Sequence, residues 1–280
     1  MRSVAVTGAS TGIGRATALR LDAAGWRVFA GVRRDADAED LIAAGSDRLT
    51  PLMLDVTDPA QIAAAGQSIG TELDGGGLDG LVNNAGVAIP GPLETLPIEE
   101  FRRQIEVNLV GHVAVTQALL GPIREARGRI VFISSIGGRV AFPLTGAYHA
   151  SKFGVEAVGD VFRQELRRWG ISVSIVEPGS IDTPIWARAQ RETEEIGGRA
   201  ISRQDELYGR AIVSYRKALG RLAARGIAPE KVAAAVEHAL QASRPRSRYL
   251  VGFDAKCQAR LKPIVPTPVF DWVVARAMGL

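Results

Sequence analysis

The stretch Val4-Ala-Val-Thr7-Gly8-Ala-Ser-Thr-Gly12-Ile-Gly14 joins a short apolar run to a helical pattern that continues to Ala24. A glycine-rich turn between a strand and a helix lets the backbone approach a pyrophosphate, and the helix N-terminus supplies free N–H groups. The spacing Gly-x3-Gly-x-Gly differs from the commoner Gly-x-Gly-x2-Gly, and a tight turn without ligand uses the same residues. Because this turn lies between a predicted strand and a predicted helix, however, the pattern favours a dinucleotide site. That site would comprise Gly8, Ser10, Thr11, Gly12, Ile13 and Gly14.

Outward from this turn, short β-branched apolar runs alternate with longer segments rich in Ala and Leu. Strands that are apolar throughout and separated by helices are typical of a parallel sheet covered on both faces. The sequence therefore predicts an α/β, doubly wound Rossmann fold. The predicted strands are Val4–Thr7, Arg27–Val32, Leu52–Asp55, Leu78–Asn83, Arg129–Ser134, Ser172–Glu177 and Arg248–Val251. The predicted helices are Ile13–Ala24, Pro59–Ile69, Ile98–Leu120, His149–Trp169 and Pro229–Gln241.

No stretch is rich enough in Gly, Ser or Pro to divide the 280-residue chain, so we predict one domain over residues 1–280. Its core would comprise residues 1–183 and 226–252. The charged segment 184–225 follows the sixth strand and is interpreted as a substrate lid. Residues 253–280 form a C-terminal extension with a short apolar helix near Phe270–Met278.

Composition excludes several classes of protein. The chain is 46% hydrophobic and 23% charged, which excludes intrinsic disorder. A single cysteine, Cys257, excludes an intramolecular disulfide and a multi-cysteine metal site, and we expect no metal ion. The net charge is +4 and the arginines lack interleaved aromatic residues, so we expect no nucleic-acid partner. Without a secretory signal pattern or the roughly 18 apolar residues of a membrane span, a cytoplasmic protein is expected.

The end of the second predicted strand bears on the choice of cofactor. An acidic residue there would bind the ribose 2′-hydroxyl of NAD, but Arg33 and Arg34 follow Val32 instead. Guanidinium forks suit a phosphate, so the pair favours NADP(H) over NAD(H), although a solvated charge pair at a strand end is common. Asp55, followed by Val56, could accept a hydrogen bond from the adenine amino group or cap the next helix.

Candidate catalytic residues follow the fourth and fifth strands. Tyr148 and Lys152 lie four residues apart at a predicted helix start, hence on one face. A nearby ammonium stabilises phenolate and so lowers the pKa of a tyrosine from about 10. Ser135 ends the fifth strand at the sheet edge where ligands bind, and Asn84-Ala85-Gly86 ends the fourth. Asn108 interrupts an apolar helical stretch, which suggests that its side chain holds a water or breaks the helix locally.

With these motifs the chain resembles the short-chain dehydrogenase/reductase family, over about Val4 to Val251. Five motifs match in order. They are Thr7–Gly14, Asn83–Gly86, Asn108, Ser135 with Tyr148 and Lys152, and Pro178-Gly-Ser-Ile-Asp-Thr183. The resemblance implies a seven-stranded parallel sheet, a nicotinamide cofactor and a homodimer or homotetramer. In the family, an arginine at the position of Arg33 accompanies NADP(H), whereas Thr11 lacks the basic residue that some NADP-preferring members carry there.

The resemblance also implies roles for individual residues. Tyr148 would be the acid/base, with Ser135 orienting the substrate carbonyl. Lys152 would hold the nicotinamide ribose and lower the pKa of Tyr148, and Asn108 would hold a water of a proton relay. The remaining cofactor contacts near the nicotinamide would come from Pro178, Gly179, Ile181 and Thr183.

The substrate side is predicted to be apolar. Candidate pocket residues are Val87, Ile89, Gly137, Gly138, Val140 and Phe142, and candidate lid residues are Ile185, Trp186, Ile196, Ile201, Leu207, Tyr208, Ile212 and Tyr215. The segment from Glu177 to Ile185 and the extension past Gly252 look like the hydroxysteroid and retinol dehydrogenase branch. We therefore expect a hydrophobic secondary alcohol or ketone as substrate. A 3-oxoacyl thioester reductase is the alternative enzyme, and an NADP(H)-binding regulator without turnover is the alternative outside catalysis. The extension could cover the pocket, form a dimer contact or lie weakly against a membrane surface.

Overall fold

The computed structural model describes residues 1–185, 187, 189, 206–220 and 226–280. Its centre is a seven-stranded parallel sheet with the order β3-β2-β1-β4-β5-β6-β7. The strands are β1 (Ser3–Val6), β2 (Arg27–Val32), β3 (Leu49–Met53), β4 (Gly80–Asn83), β5 (Arg129–Ile133), β6 (Ser172–Pro178) and β7 (Arg248–Val251). The strand order reverses between β1 and β4, and ligands of open α/β sheets bind at that reversal, beyond the carboxyl ends of the strands. This sheet confirms the predicted fold class.

Helices cover both faces of the sheet. They are α1 (Gly12–Ala23), α2 (Asp35–Ala44), α3 (Pro59–Leu73), α4 (Ile98–Ile105), α5 (Gly111–Glu125), α6 (Gly146–Glu165), α7 (206–220), α8 (Glu230–Gln241), α9 (Phe253–Leu261) and α10 (Thr267–Met278). One apolar cluster joins α1, α2 and α8 to the sheet, and a second joins α3, α5 and α6 to its other face. Burial of apolar surface on both faces fixes the sheet between two helical layers.

The start of α3 shows how local sequence sets an element. The carboxylate of Asp58 accepts hydrogen bonds from the backbone N–H groups of Ala60 and Gln61, and Pro59 occupies the first helical turn. Proline costs nothing there, because the N–H it lacks would have no partner within the helix. The buried positions Ile62, Ala65 and Ile69 then follow at helical spacing and face the sheet.

Several element boundaries differ from those predicted. Strand β3 ends at Met53, so Asp55 lies beyond it rather than in it. The helix predicted over Ile98–Leu120 contains a π-helical turn at Glu106–Val110 and continues to Glu125 through Pro122. Buried Ile123 packs in the core beyond that proline, and this tertiary contact outweighs the local signal to stop.

The C-terminal extension forms two helices rather than the one predicted. Helix α9 buries only Ala255, so its sequence has almost no apolar periodicity to reveal it. In α10 the inner residues Phe270, Val274 and Met278 pack on the molecule, and the outer face leaves Val269, Trp272 and Val273 exposed. Throughout the part of the chain that the structure describes, no helix combines the length and apolar character needed to cross a membrane.

Candidate active site

The glycine-rich turn is shaped by its own backbone and by the loop after β4. Gly8 and Gly12 have φ angles of +64° and +56°, in the left-handed region where glycine is favoured. A Cβ at Gly14 would collide with the carbonyl oxygen of Gly8 and the side-chain amide of Asn84. The Asn84 amide donates to the carbonyl of Thr7 at 2.9 Å and to that of Gly8 at 3.0 Å. The turn and the β4 loop therefore form one rigid wall of a cleft.

This cleft has a volume of about 250 Å³ and runs along the carboxyl edge of the sheet. Most of the predicted site residues line it: Gly8, Ser10, Thr11, Gly12, Ile13, Gly14, Arg33, Asp55, Val56, Asn84, Ala85, Gly86, Ser135, Tyr148, Lys152, Pro178, Gly179, Ile181 and Thr183. Two predicted residues, Arg34 and Asn108, are not part of its lining. Residues separated by up to about 170 positions in sequence therefore meet in one cleft, as expected from strand ends at one sheet edge.

The cleft also contains residues that sequence reasoning missed. These are Gly31, Val32, Leu54, Ala88, Arg103, Val107, Ile133, Ser134 and Pro184. Most are direct neighbours of predicted residues at strand ends and are found by extending each motif by one or two positions. Arg103 and Val107 are different, because they lie on α4 and the π-helical turn. Their spacing of four residues, ending just before Asn108, was the available signal.

The two arginines after β2 have different environments. Arg34 donates from Nε and Nη2 to both carboxylate oxygens of Asp37, at 2.8 and 2.5 Å, outside the cleft. Arg33 faces the cleft with its side chain 62% exposed, and its Nη1 lies 3.7 Å from Oδ2 of Asp55. Of the two arginines predicted to bind the cofactor, only Arg33 lines the cleft, whereas Arg34 is held by Asp37.

Asp55 carries a negative charge at this end of the cleft. Partial burial raises the pKa of its carboxyl. Hydrogen bonds from the N–H and hydroxyl of Thr57, together with the charge of Arg33, lower the pKa by more than burial raises it. The net shift is below the ordinary value, so the carboxylate is ionised at neutral pH. An ionised carboxylate accepts a stronger hydrogen bond from an amino group than a neutral oxygen does.

At the other end of the cleft, Tyr148, Ser135 and Lys152 converge. The Tyr148 side chain forms a hydrogen bond with that of Ser135. Lys152 donates from Nζ to the carbonyl oxygen of Ile133 at 2.9 Å, and its Nζ lies 5.8 Å from the centre of the Tyr148 ring. All three lie on the lip formed by β5 and the first turns of α6.

The pKa of Tyr148 differs in direction from the sequence-based expectation. Burial raises the pKa of its hydroxyl, and the hydrogen bond with Ser135 lowers it by less, so the net shift is upward. Burial also lowers the pKa of Lys152 to about 8, against the charge of Glu156. The positive charge of Lys152 thus does not outweigh the desolvation of the Tyr148 hydroxyl, and the phenol is protonated at neutral pH. A protonated phenol beside the cleft is chemically able to donate a proton to an oxygen bound there.

Asn108 does not line the cleft but is hydrogen-bonded to two segments that do, the loop after β4 and α6. Its Oδ1 accepts from the N–H of Val87 at 2.8 Å, and its Nδ2 donates to the carbonyl of Val87 at 3.0 Å and to Oγ of Ser151 at 3.1 Å. It lies in the middle of the π-helical turn, so the predicted local break in the helix is confirmed. Such turns are frequent at functional sites. The side chain connects the β4 loop, the π-helical turn and α6.

His112, one turn after Asn108, is fully buried and uncharged. Its Nε2 donates to the carbonyl oxygen of Ala85 at 2.7 Å. Burial, together with the positive charge of Lys152, lowers the pKa of its imidazole to about 3. The ring is therefore neutral at every pH at which the protein would ordinarily be handled.

Acidification is expected to weaken the fold through His112. The pKa of His112 is about 3 in the folded protein and about 6.5 in the unfolded chain. Between these pH values the unfolded chain therefore binds a proton at His112 that the folded protein does not bind. The contribution of this group to the free energy of unfolding is flat above pH 6.5 and falls from there to pH 3, by about 2 kcal/mol at pH 5. Urea unfolding of the wild type and of His112→Gln, each at pH 7.5 and pH 5, measures this change in the free energy of unfolding.

The difference between the two pH values should be about 2 kcal/mol smaller in His112→Gln than in the wild type. His149, whose pKa burial also lowers, contributes equally to both proteins. Exposed His238 provides the control variant His238→Gln, which should retain the wild-type dependence. An unchanged pH dependence in His112→Gln would contradict the assignment.

The side of the cleft beyond Tyr148 is apolar. Ala88, Ile185 and Ala189 pack around the Tyr148 ring. On α7, Tyr215 lies near enough to Tyr148 to be affected by it electrostatically, and burial raises the pKa of its hydroxyl. Of the predicted lid residues, Trp186, Ile196 and Ile201 lie outside the described residues.

The C-terminal extension packs against this side. Four rings lie in series from α10 to the site: Phe270, Phe142, His149 and Tyr148, with centres 6.0, 5.9 and 6.0 Å apart. Met278 and Val274 contact Leu144 and the α7 residues Ala211, Ile212 and Tyr215. The inner face of α10 thus packs on Phe142, Leu144 and α7, and whether the extension covers the pocket stays a prediction. A dimer contact and a membrane contact stay predictions.

The comparisons with known proteins agree with this geometry. The family described as short chain dehydrogenase matches residues 2–194. The chain belongs to this family. Retinol dehydrogenase 5 of Mus musculus is 39% identical over 281 residues, covering 97% of this chain and 88% of that protein. The 17-beta-hydroxysteroid dehydrogenase type 6 of Homo sapiens is 39% identical over 282 residues, covering 98% and 88%.

Solved structures of the family have the same architecture. A short-chain dehydrogenase from Streptomyces avermitilis superposes with a TM-score of 0.75 at 30% identity, covering 98% of this chain and 97% of that chain. Levodione reductase gives a TM-score of 0.75 at 26% identity, covering 92% and 98%. The chain is thus an oxidoreductase of the retinol and hydroxysteroid dehydrogenase-like branch, whose members act on CH–OH groups and use a nicotinamide nucleotide.

Proposed function

We propose that this short-chain dehydrogenase is an NADP(H)-dependent enzyme that interconverts a hydrophobic secondary alcohol and its ketone, with Tyr148 as the acid/base. The observation that carries the proposal is the continuous cleft from Arg33 at one end to the hydrogen-bonded pair Ser135 and Tyr148 at the other. One end suits a phosphate and the other suits a reacting oxygen.

The residues of the cleft fit a dinucleotide. The left-handed turn at Gly8 and Gly12 brings backbone N–H groups of α1 towards the cleft. A Cβ at Gly12 would lie 3.1 Å from the methyl group of Thr183, so the turn and the loop after β6 enclose the same narrow space. The pyrophosphate would lie on the turn, Asp55 and Val56 would hold the adenine, and Asn84–Gly86 would lie beside the ribose. Pro178, Gly179, Ile181 and Thr183 would hold the nicotinamide. Bound there, the nucleotide supplies or accepts the hydride.

Arg33 supports the preference for NADP(H). It projects into the cleft beside Asp55, and its guanidinium is mostly exposed, so a phosphate group can displace water from it. A charge-assisted hydrogen bond to a 2′-phosphate contributes about 1.5–3 kcal/mol. NAD(H) lacks that phosphate and gains nothing from Arg33.

In the direction of reduction, Tyr148 would donate its proton to the carbonyl oxygen of the substrate, and Ser135 would hold that oxygen by a hydrogen bond. The raised pKa of Tyr148 favours the protonated form that this step needs. Lys152 would bind ribose hydroxyls and place positive charge near the phenolate that forms. Asn108 would keep the β4 loop and α6 in register.

The apolar side chains around Tyr148 support a hydrophobic substrate. Ala88, Ile185 and Ala189 offer contact without charge, and the similar proteins include retinol and hydroxysteroid dehydrogenases. An apolar ketone buries surface there at about 25 cal/mol per Å². A thioester with a polar carrier would gain less from this wall.

The test combines binding and turnover on one sample. Fluorescence titration with NADPH and NADH is followed by nucleotide oxidation with a panel of bulky apolar ketones, aldehydes and 3-oxoacyl thioesters. Tighter NADPH binding and fastest turnover of an apolar ketone are expected. Faster turnover of the thioesters would replace the proposal by a 3-oxoacyl reductase, and binding without any turnover would replace it by a nucleotide-binding regulator.

A further inference from the structure

A cluster of charged side chains lies buried behind Lys152, on the side away from the cleft. We call it the carboxylate cluster: Glu156 and Asp160 of α6, Glu177 of β6, Arg139 after β5, and Arg248 of β7. Glu177 is fully buried, and the side chain of Glu156 is 11% exposed. Burying charges is costly unless they are paired, so such a cluster needs a reason.

Arg248 is the hub of the cluster. Its Nε lies 3.1 Å from Oε2 of Glu156 and 3.1 Å from Oε1 of Glu177, and its Nη2 donates to Asp160 at 2.7 Å. Arg139 pairs with both oxygens of Glu177, at 2.8 and 2.7 Å. Arg163, at the edge of the cluster beside Asp160, adds a third guanidinium group. The three carboxylates and the three guanidinium groups therefore balance in formal charge, and the inner carboxylates Glu156 and Glu177 share Arg139 and Arg248.

Glu156 is the carboxylate of this cluster that lies beside Lys152 along α6. Glu156 follows Lys152 by one turn on the buried face of α6. A Cβ on Gly138 would lie 2.8 Å from Oγ of Ser134, 2.9 Å from Cγ of Glu156 and 2.9 Å from the carbonyl oxygen of Lys152, so these groups surround one point. Oε1 of Glu156 and Oγ of Ser134 are buried without a hydrogen-bond partner among the described residues. The arginines therefore leave one oxygen of Glu156 uncompensated.

The other groups around Lys152 do not stabilise its charge to the same extent. On α6, Tyr148 is a neutral phenol, and on α5, His112 is a neutral imidazole. From β5, the carbonyl of Ile133 accepts one hydrogen bond from Nζ, and Ser134 is uncharged. Burial lowers the pKa of Lys152 to about 8, and the charge of Glu156 is what opposes this shift.

We propose that Glu156 is a positioning residue whose carboxylate, anchored by Arg248, keeps the buried amine of Lys152 charged at neutral pH. The charged amine is the form that donates hydrogen bonds to ribose hydroxyls and stabilises phenolate at Tyr148, so the inference rests on the proposed function. Its physical core, the charge state of Lys152, can be measured without turnover.

The test compares Glu156→Gln with Asp160→Asn. Asp160 lies one turn further along α6 and binds the same Arg248, so the control removes a carboxylate of the cluster without removing the one next to Lys152. The chain has only five lysines, namely Lys152, Lys217, Lys231, Lys256 and Lys262. Lysine-selective NMR labelling, with Lys152→Arg to assign the signal, gives the titration midpoint of Lys152 directly.

Glu156→Gln should lower this midpoint by about one pH unit, a tenfold change in proton affinity, and Asp160→Asn should leave it within about 0.3 unit. The alkaline limb of kcat/KM and the pH above which NADPH binding weakens should shift together with it. Glu156→Asp, which keeps the charge, should restore most of the midpoint. Glu156→Ser, a smaller neutral replacement, takes the place of Glu156→Gln should the Gln variant not fold.

An unchanged midpoint in whichever neutral Glu156 variant folds would overturn the proposal, and so would equal shifts in that variant and in Asp160→Asn. A shifted midpoint without any turnover in the wild type would leave the charge coupling intact and refute the proposed enzyme instead. The two failures are therefore distinguishable.

Discussion

Replacing Tyr148 with phenylalanine is expected to lower kcat by about 10²–10⁴-fold, the usual contribution of a positioned acid or base. The substitution removes one hydroxyl and keeps the ring that packs against Ala88 and Ala189, so the fold and the cleft should persist. Affinity for NADPH should change by only a few-fold, because the glycine turn and Arg33 are untouched. Steady-state kinetics with the best ketone of the panel and NADPH titration by fluorescence measure both quantities.

Tyr249→Phe is the matched control for this prediction. It removes the same atom from a buried tyrosine of β7 outside the lining of the cleft, whose hydroxyl contacts His238 and accepts from the N–H of Arg246. Its kcat should stay within about threefold of the wild type. Near-normal turnover in Tyr148→Phe would refute the assigned role, and a large loss of NADPH affinity would show that the hydroxyl serves binding rather than proton transfer.

Arg33→Ala should weaken NADPH binding by roughly 10-fold to 100-fold and leave NADH binding within about twofold. The loss corresponds to a charge-assisted hydrogen bond of about 1.5–3 kcal/mol made only to the nucleotide that carries a 2′-phosphate. The measurement is a pair of fluorescence titrations at fixed ionic strength, since salt screens an exposed guanidinium.

Arg34→Ala provides the control at the neighbouring position. Its guanidinium is held by Asp37 outside the cleft, so the variant should bind both nucleotides as the wild type does. Equal loss of NADPH and NADH affinity in Arg33→Ala would mean that Arg33 supports the cleft generally. A loss of NADPH affinity in Arg34→Ala alone would show that Arg34, and not Arg33, binds the phosphate.

The sequence was sufficient for the fold class and for most residues that line the cleft, because both depend on short-range patterns. Apolar strand runs end at one sheet edge, and a spacing of four residues in a helix places Tyr148 and Lys152 on one face. The same reasoning could not show that Asp37 holds Arg34 outside the cleft lining, since the helix that carries Asp37 has little apolar periodicity and was not predicted.

Features that depend on burial could not be predicted. The upward pKa shift of Tyr148 follows from its enclosure by Ala88, Ala189 and Ile185, which lie far from it in sequence. The ion pair of Glu156 with Arg248 joins residues 92 positions apart, and no local pattern indicates it. Oligomeric state and cellular compartment stay predictions.

The packing of α10 has a consequence for how this enzyme can change over evolution. The proposed proton-transferring groups come from β5 and α6, whereas Phe270, Val274 and Met278 of α10 pack on Phe142, Leu144 and Tyr215. Under the proposed function, substitutions in the last helix would widen or narrow the substrate side while Ser135, Tyr148 and Lys152 keep their geometry. Selectivity and chemical competence would then be separately heritable traits of one chain, and a new substrate range would not require a new catalyst.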